Sequence, residues 1–262
     1  LITGAVRGLG KAVAKAYHDR GFQVIATDID AGLLEDYSGK EGYFPVRMDV
    51  SSEKDVKKCA RQIEKQHGQL NILISSAGVI DFYPVSEAGV EKLKKIFDVN
   101  VFGLANITKY FLPLLLKSQG RLIVVSSESY KVPSPFQPYA VSKQALEKVF
   151  NAVRLELMTK GIKSILIRPG AIQTKLMEET FHLKDPENES VFKNEFKRFK
   201  QSVSKYIGKI SDPEQVAKVI LKAGTAKRPK RIYNVNHNPL VTLLSHLPGK
   251  LKENLTIKSL KG

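Results

Sequence analysis

Short apolar runs alternate with longer amphipathic stretches over the first two thirds of the chain. Residues 1–3, 22–27, 70–75, 121–125 and 162–167 are nearly continuous in apolar side chains, the pattern of strands covered on both faces of a parallel sheet. Residues 8–20, 52–66, 91–117 and 139–160 instead space their apolar positions as helices with one buried face do. Ser52-x-x-Asp55 is a helix-start pattern, and Gly120 and Gly161 stand where helices should stop. This alternation predicts an α/β protein with a doubly wound parallel sheet.

After Thr174 the texture changes. Residues 175–206 are charged and interrupted, with "KDPENES" at 184–190 as a loop between two helical pieces. A further helix is predicted at "SDPEQVAKVI", capped by Ser211 with Pro213 in its first turn and Glu214 completing the capping box. "RIYNVN" supplies a last strand, and Leu240, Val241, Leu243, Leu244 and Leu247 of the tail are close enough to form one apolar helical surface. The expected organisation is one domain over 1–262, with a substrate lid at 175–210 and a C-terminal extension at 236–262.

Composition narrows the classes. At 262 residues and 42% hydrophobic content the chain can bury the core of one α/β domain. Its single cysteine, Cys59, excludes an intrachain disulfide and suits a reducing compartment. No run of about 18 apolar residues reads as a membrane span. Leu1 already lies inside a strand-like run, so a native N-terminus and any targeting segment are expected upstream, and a cytoplasmic location is expected. The net charge of +16 is spread along the chain: 24 Lys/Arg against 17 Asp/Glu in residues 1–174, and 18 against nine in 175–262. Without a basic arm or a recognisable nucleic-acid module, that charge reads as a solvated lysine-rich surface, with attraction to acidic membranes or anionic ligands as the second reading.

Candidate chemistry begins at "TGAVRGLG". Gly4, Gly8 and Gly10 follow the first strand and open the first helix, where absent side chains let a pyrophosphate approach backbone amides at a helix N-terminus. Asp28 ends the second strand, 18 residues beyond Gly10, near the separation at which a carboxylate meets the adenosine ribose of a dinucleotide. A carboxylate there accepts from the ribose hydroxyls and repels a 2′-phosphate, so NAD is favoured and NADP is the alternative. Arg7 argues for NADP, or pairs with the pyrophosphate, or faces solvent. Asp49, in "RMDV" after the third strand, either accepts from the adenine or serves as a loop residue. "YAVSK" puts Tyr139 and Lys143 four positions apart on one helical face. Chance alone produces such pairs, so the pair acquires meaning only from its surroundings.

Those surroundings resemble the classical short-chain dehydrogenase/reductase family. "TGAVRGLG", "SSAG" at 75–78, "FDVNVFG" at 97–103, "VVSS" at 124–127, "YAVSK" and "RPGAIQT" at 168–174 occur in the family's order and spacing. Ser75 and Ser76 stand where asparagines are more usual. The resemblance implies a catalytic set of Asn100, Ser127, Tyr139 and Lys143. Tyr139 would exchange a proton with the substrate oxygen, and Lys143 would lower the tyrosine's ordinary value of about 10. Lys143 would also hold the nicotinamide ribose, Ser127 would orient the substrate oxygen, and Asn100 would anchor a water chain to Lys143. Ser126 competes with Ser127; Ser127 is preferred by its place counted from the start of the preceding strand. The implied dinucleotide contacts are Thr3, Gly4, Arg7, Gly8, Leu9, Gly10, Asp28, Asp49, Val50, Ser76, Ala77, Gly78, Asn100, Tyr139, Lys143, Pro169, Gly170, Ile172 and Thr174.

The five histidines show no ligand spacing, and no metal is expected. Leu176, Met177, Phe181 and Leu183 offer an apolar lid face. The tail resembles that of the steroid- and retinol-dehydrogenase branch, which implies a small hydrophobic alcohol or carbonyl as substrate. A 3-oxoacyl thioester reductase and a non-catalytic dinucleotide-binding scaffold are the alternatives. The family resemblance also implies a homodimer or homotetramer built on the helices at 91–117 and 139–160.

Overall fold

A computed structural model describes residues 1–131, 135–175, 177, 190–206 and 210–261. Seven parallel strands form one sheet: β1 (Ile2–Thr3), β2 (Val24–Asp28), β3 (Tyr43–Arg47), β4 (Ile72–Ser75), β5 (Arg121–Val125), β6 (Lys163–Pro169) and β7 (Ile232–Val235). Their order is β3-β2-β1-β4-β5-β6-β7. The chain winds outward from β1 in one direction and from β4 in the other, so a crevice opens where the C-terminal ends of these two neighbours part.

Strand alternation builds a core on each face. Leu122 and Val124 of β5 pack with Ile63, Phe111 and Phe150, while Ile123 and Val125 pack with Val13, Val216 and Ile220. The first face is covered by α3 (Glu53–His67), α5 (Gly103–Ser118) and α6 (Pro138–Met158); α1 (Gly8–His18) and α8 (Pro213–Thr225) cover the second. Short α2 (Ala31–Leu34) follows β2, and α7 (Lys193–Tyr206) lies between β6 and α8. Two helices, α9 (Pro239–Ser245) and α10 (Gly249–Lys261), follow β7.

Several local expectations hold in detail. Ser52 caps α3 by accepting from the Asp55 amide at 3.2 Å. Others change. The helix expected at 91–117 begins earlier, as α4 (Val85–Phe97), and passes through a π-helical turn at Asp98–Phe102 before α5. By length and composition Val85–Ser118 is apolar enough to cross a membrane, although charged residues interrupt it, so that it holds no continuous apolar run of about 18 residues. Leu104, Ile107, Phe111, Leu114 and Leu115 of that stretch are nevertheless buried against the sheet. At the end of α5 the left-handed residue is Gln119 rather than Gly120; a Cβ on Gly120 would press on the carbonyls of Leu70 and Asn71. Asp212, not Ser211, is the N-cap of α8, because Ser211 is drawn into a bridge with Ile172. The apolar tail surface is also divided: α9 ends at Ser245, before Leu247, and Leu243 is 65% exposed.

Candidate active site at the C-terminal edge of the sheet

The glycine-rich turn runs from β1 into α1. Gly4 and Gly8 have φ of +69° and +47°, conformations that L side chains rarely adopt. A Cβ on Gly10 would collide with the Gly4 carbonyl oxygen, and one on Gly8 would lie 2.9 Å from Thr174 Cγ2. Arg7 is the N-cap of α1 and makes no side-chain cap bond, so the first helical amides keep their partial positive charge uncapped by a side chain. The turn leaves backbone amides uncovered by side chains, the chemistry a pyrophosphate would need.

Across the crevice, Thr3 Oγ1 accepts from the amides of Ser76 and Ala77, each at 3.0 Å. The turn after β4 is therefore held through its backbone, which accommodates serine at 75 and 76 in place of asparagine. Gly78 lies deeper: a Cβ there would sit 3.3 Å from Asn100 Oδ1 and 3.7 Å from Lys143 Nζ. Asn100 occupies the π-helical turn and is buried. Its Oδ1 accepts from Val79 N, and its Nδ2 donates to Val79 O and Ser142 Oγ, all at 2.9 Å. Ser142 Oγ donates in turn to Tyr139 O at 2.7 Å. The side chain expected to anchor water is thus committed to clamping the loop after β4 to α6.

At the end of β2, Asp28 Oδ2 accepts from Val6 N at 3.4 Å and Oδ1 from Asp30 N at 3.1 Å. Arg7 is paired with Asp30 at 2.6 Å rather than free in solvent. Asp49 accepts from both the amide and hydroxyl of Ser51, the loop role. Leu9 and Val50 are buried in the two cores, and Ile172 packs against one of them. Pro169 ends β6, and the Gly170 amide donates to Val235 O at 2.8 Å. Thr174 lies against Gly8, its Oγ1 accepting from Met177 N at 3.3 Å.

The residues expected to be catalytic lie near one another beside this crevice. Ser127 lies near enough to the Tyr139 hydroxyl to favour its ionisation and accepts from the Ser129 amide at 3.2 Å, whereas Ser126 donates to Glu147 at 2.7 Å. Lys143 is buried, donates to Val125 O at 3.1 Å and stands 5.6 Å from the centre of the Tyr139 ring. The expected lowering of the tyrosine is absent. Burial pushes Tyr139 up to about 12, and the group that pulls it back is Ser127. Burial likewise pushes Lys143 down to about 8, opposed by the Glu147 carboxylate. Desolvation disfavours both charged forms. Motif spacing carried no signal for Ser142 or Glu147 beyond their position on the face of α6. Of the four lid residues, Leu176, Phe181 and Leu183 lie outside the described residues; Met177 is half-buried.

Known proteins resemble this chain in sequence and in fold. The family model described as short chain dehydrogenase matches residues 1–185. The NADPH-dependent 3-dehydrocapnine reductase of Ornithobacterium rhinotracheale is 29% identical over 100% of this chain and 96% of its own length. Retinol dehydrogenase 8 of Bos taurus is 31% identical over 93% of this chain and 83% of its own. Against two further curated relatives the chain spans only 62% and 61% of their length. A solved short-chain dehydrogenase from Streptomyces avermitilis superposes with a TM-score of 0.80 over 98% of this chain and 93% of that one; at 23% identity it bears on fold alone. The chain belongs to the short-chain dehydrogenase family, whose members are NAD(P)-dependent oxidoreductases.

Proposed function

We propose that the protein interconverts a hydrophobic alcohol and its carbonyl with NAD(H), using Tyr139 as the proton-transfer group, Ser127 to orient the substrate oxygen and Lys143 as the nearby cation. The observation that carries this reading is the convergence of Ser127, Tyr139 and Lys143 beside a crevice floored by Gly4, Gly8 and Gly78. The dinucleotide would rest on the glycine turn, Asp28, Gly78, Lys143 and Thr174, and would supply hydride acceptance or donation. With its hydroxyl held near 12 by burial, Tyr139 is a phenol at neutral pH. That is the state needed to give a proton to a carbonyl oxygen, and Ser127 can donate to the same oxygen. The reverse reaction needs the phenolate.

A second, smaller apolar cluster supports the hydrophobic substrate. Phe82 follows the Gly78 loop and Phe136 precedes Tyr139 by three residues; both pack with Phe196 and Phe199 of α7. Phe136 stands just before Tyr139 in the chain, so an apolar wall beside the reacting hydroxyl is what this reading draws from the cluster. The named substrates of the retinol dehydrogenase and the capnine reductase agree with this direction. The exposed Phe102, Leu155 and Met158 near α5 and on α6 suit a homo-oligomeric contact. The role of 175–210 as a lid and of 236–262 as an extension belongs to the same proposal.

Turnover of purified protein with NADH and NADPH against all-trans-retinal, a 3-ketosteroid, 2-decanone and a 3-oxoacyl thioester tests the reading. Reduction of the first three over the thioester is the expected result. Preference for the thioester, or no turnover with any carbonyl, would overturn it.

A further inference from the structure

Three successive residues at the end of β5 each reach α6. Val125 O accepts from Lys143, Ser126 Oγ donates to Glu147 Oε1, and Ser127 lies beside Tyr139. On α6 these partners lie at i, i+4 and i+8, on one face and one turn apart. Two of the ties involve the proton-handling groups. The third ends on a carboxylate that the reaction itself does not use.

Glu147 is only 6% exposed. Its charge is met by Arg168 of β6, with Nε 2.9 Å from Oε1 and Nη2 2.5 Å from Oε2. Arg168 in turn lies 4.1 Å from the centre of the Tyr130 ring, and its carbonyl lies 2.8 Å from His237 Nε2. A buried ion pair is a costly way to fill a core, since apolar side chains of similar volume often serve stability as well. Its position offers a different account. The carboxylate grips Ser126, flanked by the carbonyl that holds Lys143 and the hydroxyl that meets Tyr139, and it faces the lysine along the same helix.

We propose that Glu147 is a positioning residue: it seats the 125–127 segment against α6 and supplies the counter-charge that keeps Lys143 cationic. This rests on the reading of Ser127, Tyr139 and Lys143 given above. The charged or titratable groups around the carboxylate are Lys143 and Tyr139 on α6, Arg168 on β6, Glu128, Tyr130 and Lys131 on the turn after β5, and His237 after β7. Arg168 is the strongest of these. Removing the Glu147 charge therefore takes away the one carboxylate that opposes the desolvation of Lys143, and the lysine must yield.

Lysine-selective 15N labelling follows the Nζ resonance of Lys143 with pH, assigned through Lys143→Arg. Glu147→Gln keeps the shape and removes the charge; it should lower the Lys143 midpoint by about one pH unit while the far-ultraviolet spectrum stays native. Glu147→Asp retains a carboxylate and should restore most of the shift. An unmoved midpoint in folded Glu147→Gln, or equal shifts in the two variants, would overturn the proposal. If Glu147→Gln does not fold, Ser126→Ala keeps the ion pair and must displace the Lys143 resonance; an unmoved resonance there would refute the seating. None of these titrations reads turnover. Activity retained by Tyr139→Phe would thus sink the catalytic reading while leaving the grip of Glu147 on Lys143 separately measured.

Discussion

Lys131 Nζ lies 2.8 Å from His237 Nδ1, joining the turn that follows Ser127 to the segment that follows β7. An ammonium has only donors, so Nδ1 accepts and the ring proton sits on Nε2, which donates to Arg168 O at 2.8 Å. A second proton on the ring would set N–H against ammonium. Burial, ahead of the other causes, holds His237 below its ordinary value. The unfolded chain therefore takes up the proton first as pH falls. The stabilising contribution is complete above about pH 6.5 and is lost as pH falls from there through the folded midpoint. The melting temperature of wild type should drop more steeply between pH 7.5 and pH 5 than that of His237→Asn. His67 is also shifted but is common to both proteins, so parallel curves would refute the clamp.

Tyr139→Phe keeps the ring and removes the hydroxyl that Ser127 meets. Turnover should fall by ~10²-fold or more, with dinucleotide affinity by calorimetry within about threefold of wild type. Near-normal turnover would end the acid/base assignment. The wild-type pH dependence follows from the same group. Alcohol oxidation should climb from pH 7 to 10 as the phenolate fraction grows toward the midpoint near 12, whereas carbonyl reduction should not climb.

The Arg7–Asp30 pair changes the expected behaviour of the cofactor site. With Arg7 engaged at 2.6 Å, the Asp28 carboxylate is left to act on the ribose, and wild type should prefer NAD(H). Asp28→Ala should move the ratio of kcat/KM values toward NADP(H) by about tenfold. Adding Asp30→Ala releases the guanidinium and should move it further. A wild-type preference for NADP(H) would show that Arg7 leaves Asp30 when a 2′-phosphate arrives.

The parts legible in the sequence are those set by local pattern. β5 reads as a strand because both of its faces are buried, and the glycine turn reads as a cradle because only glycine fits beside Thr174 and the Gly4 carbonyl. Polar ties between distant residues were not legible. Asn100 meets Val79 and Ser142, and Glu147 meets Ser126 and Arg168, across 21 to 42 positions, a range over which periodicity carries no information. The direction of the Tyr139 shift was misread for a related reason. Spacing places Lys143 on the same helical face, but only the packed structure shows its ammonium spent on Val125 O and both groups desolvated.

The tail offers the last test. Neither α9 nor α10 buries a residue, yet Leu260 packs against the phenylalanine cluster and its carbonyl accepts from Arg198 of α7 at 2.9 Å. Those contacts tie α10 to the helix that carries Phe196 and Phe199. Ala140 and Val141 of α6 face Thr256 and Ile257 of α10 across a groove, so the same helix also overhangs the start of α6. Deleting residues 249–262 should therefore loosen the apolar wall and raise KM for all-trans-retinal about tenfold or more, with a smaller change for 2-decanone and intact dinucleotide binding. Leu251, Leu255 and Ile257 remain near half-exposed, and residues 226–262 carry eight Lys/Arg against one Asp/Glu, a composition that can also meet an anionic lipid surface. Sedimentation with phosphatidylserine vesicles and solution mass, measured on the same truncated protein, separate these roles. Loss of vesicle binding or a changed mass with unaltered kinetics for both carbonyls would remove α10 from the substrate pocket.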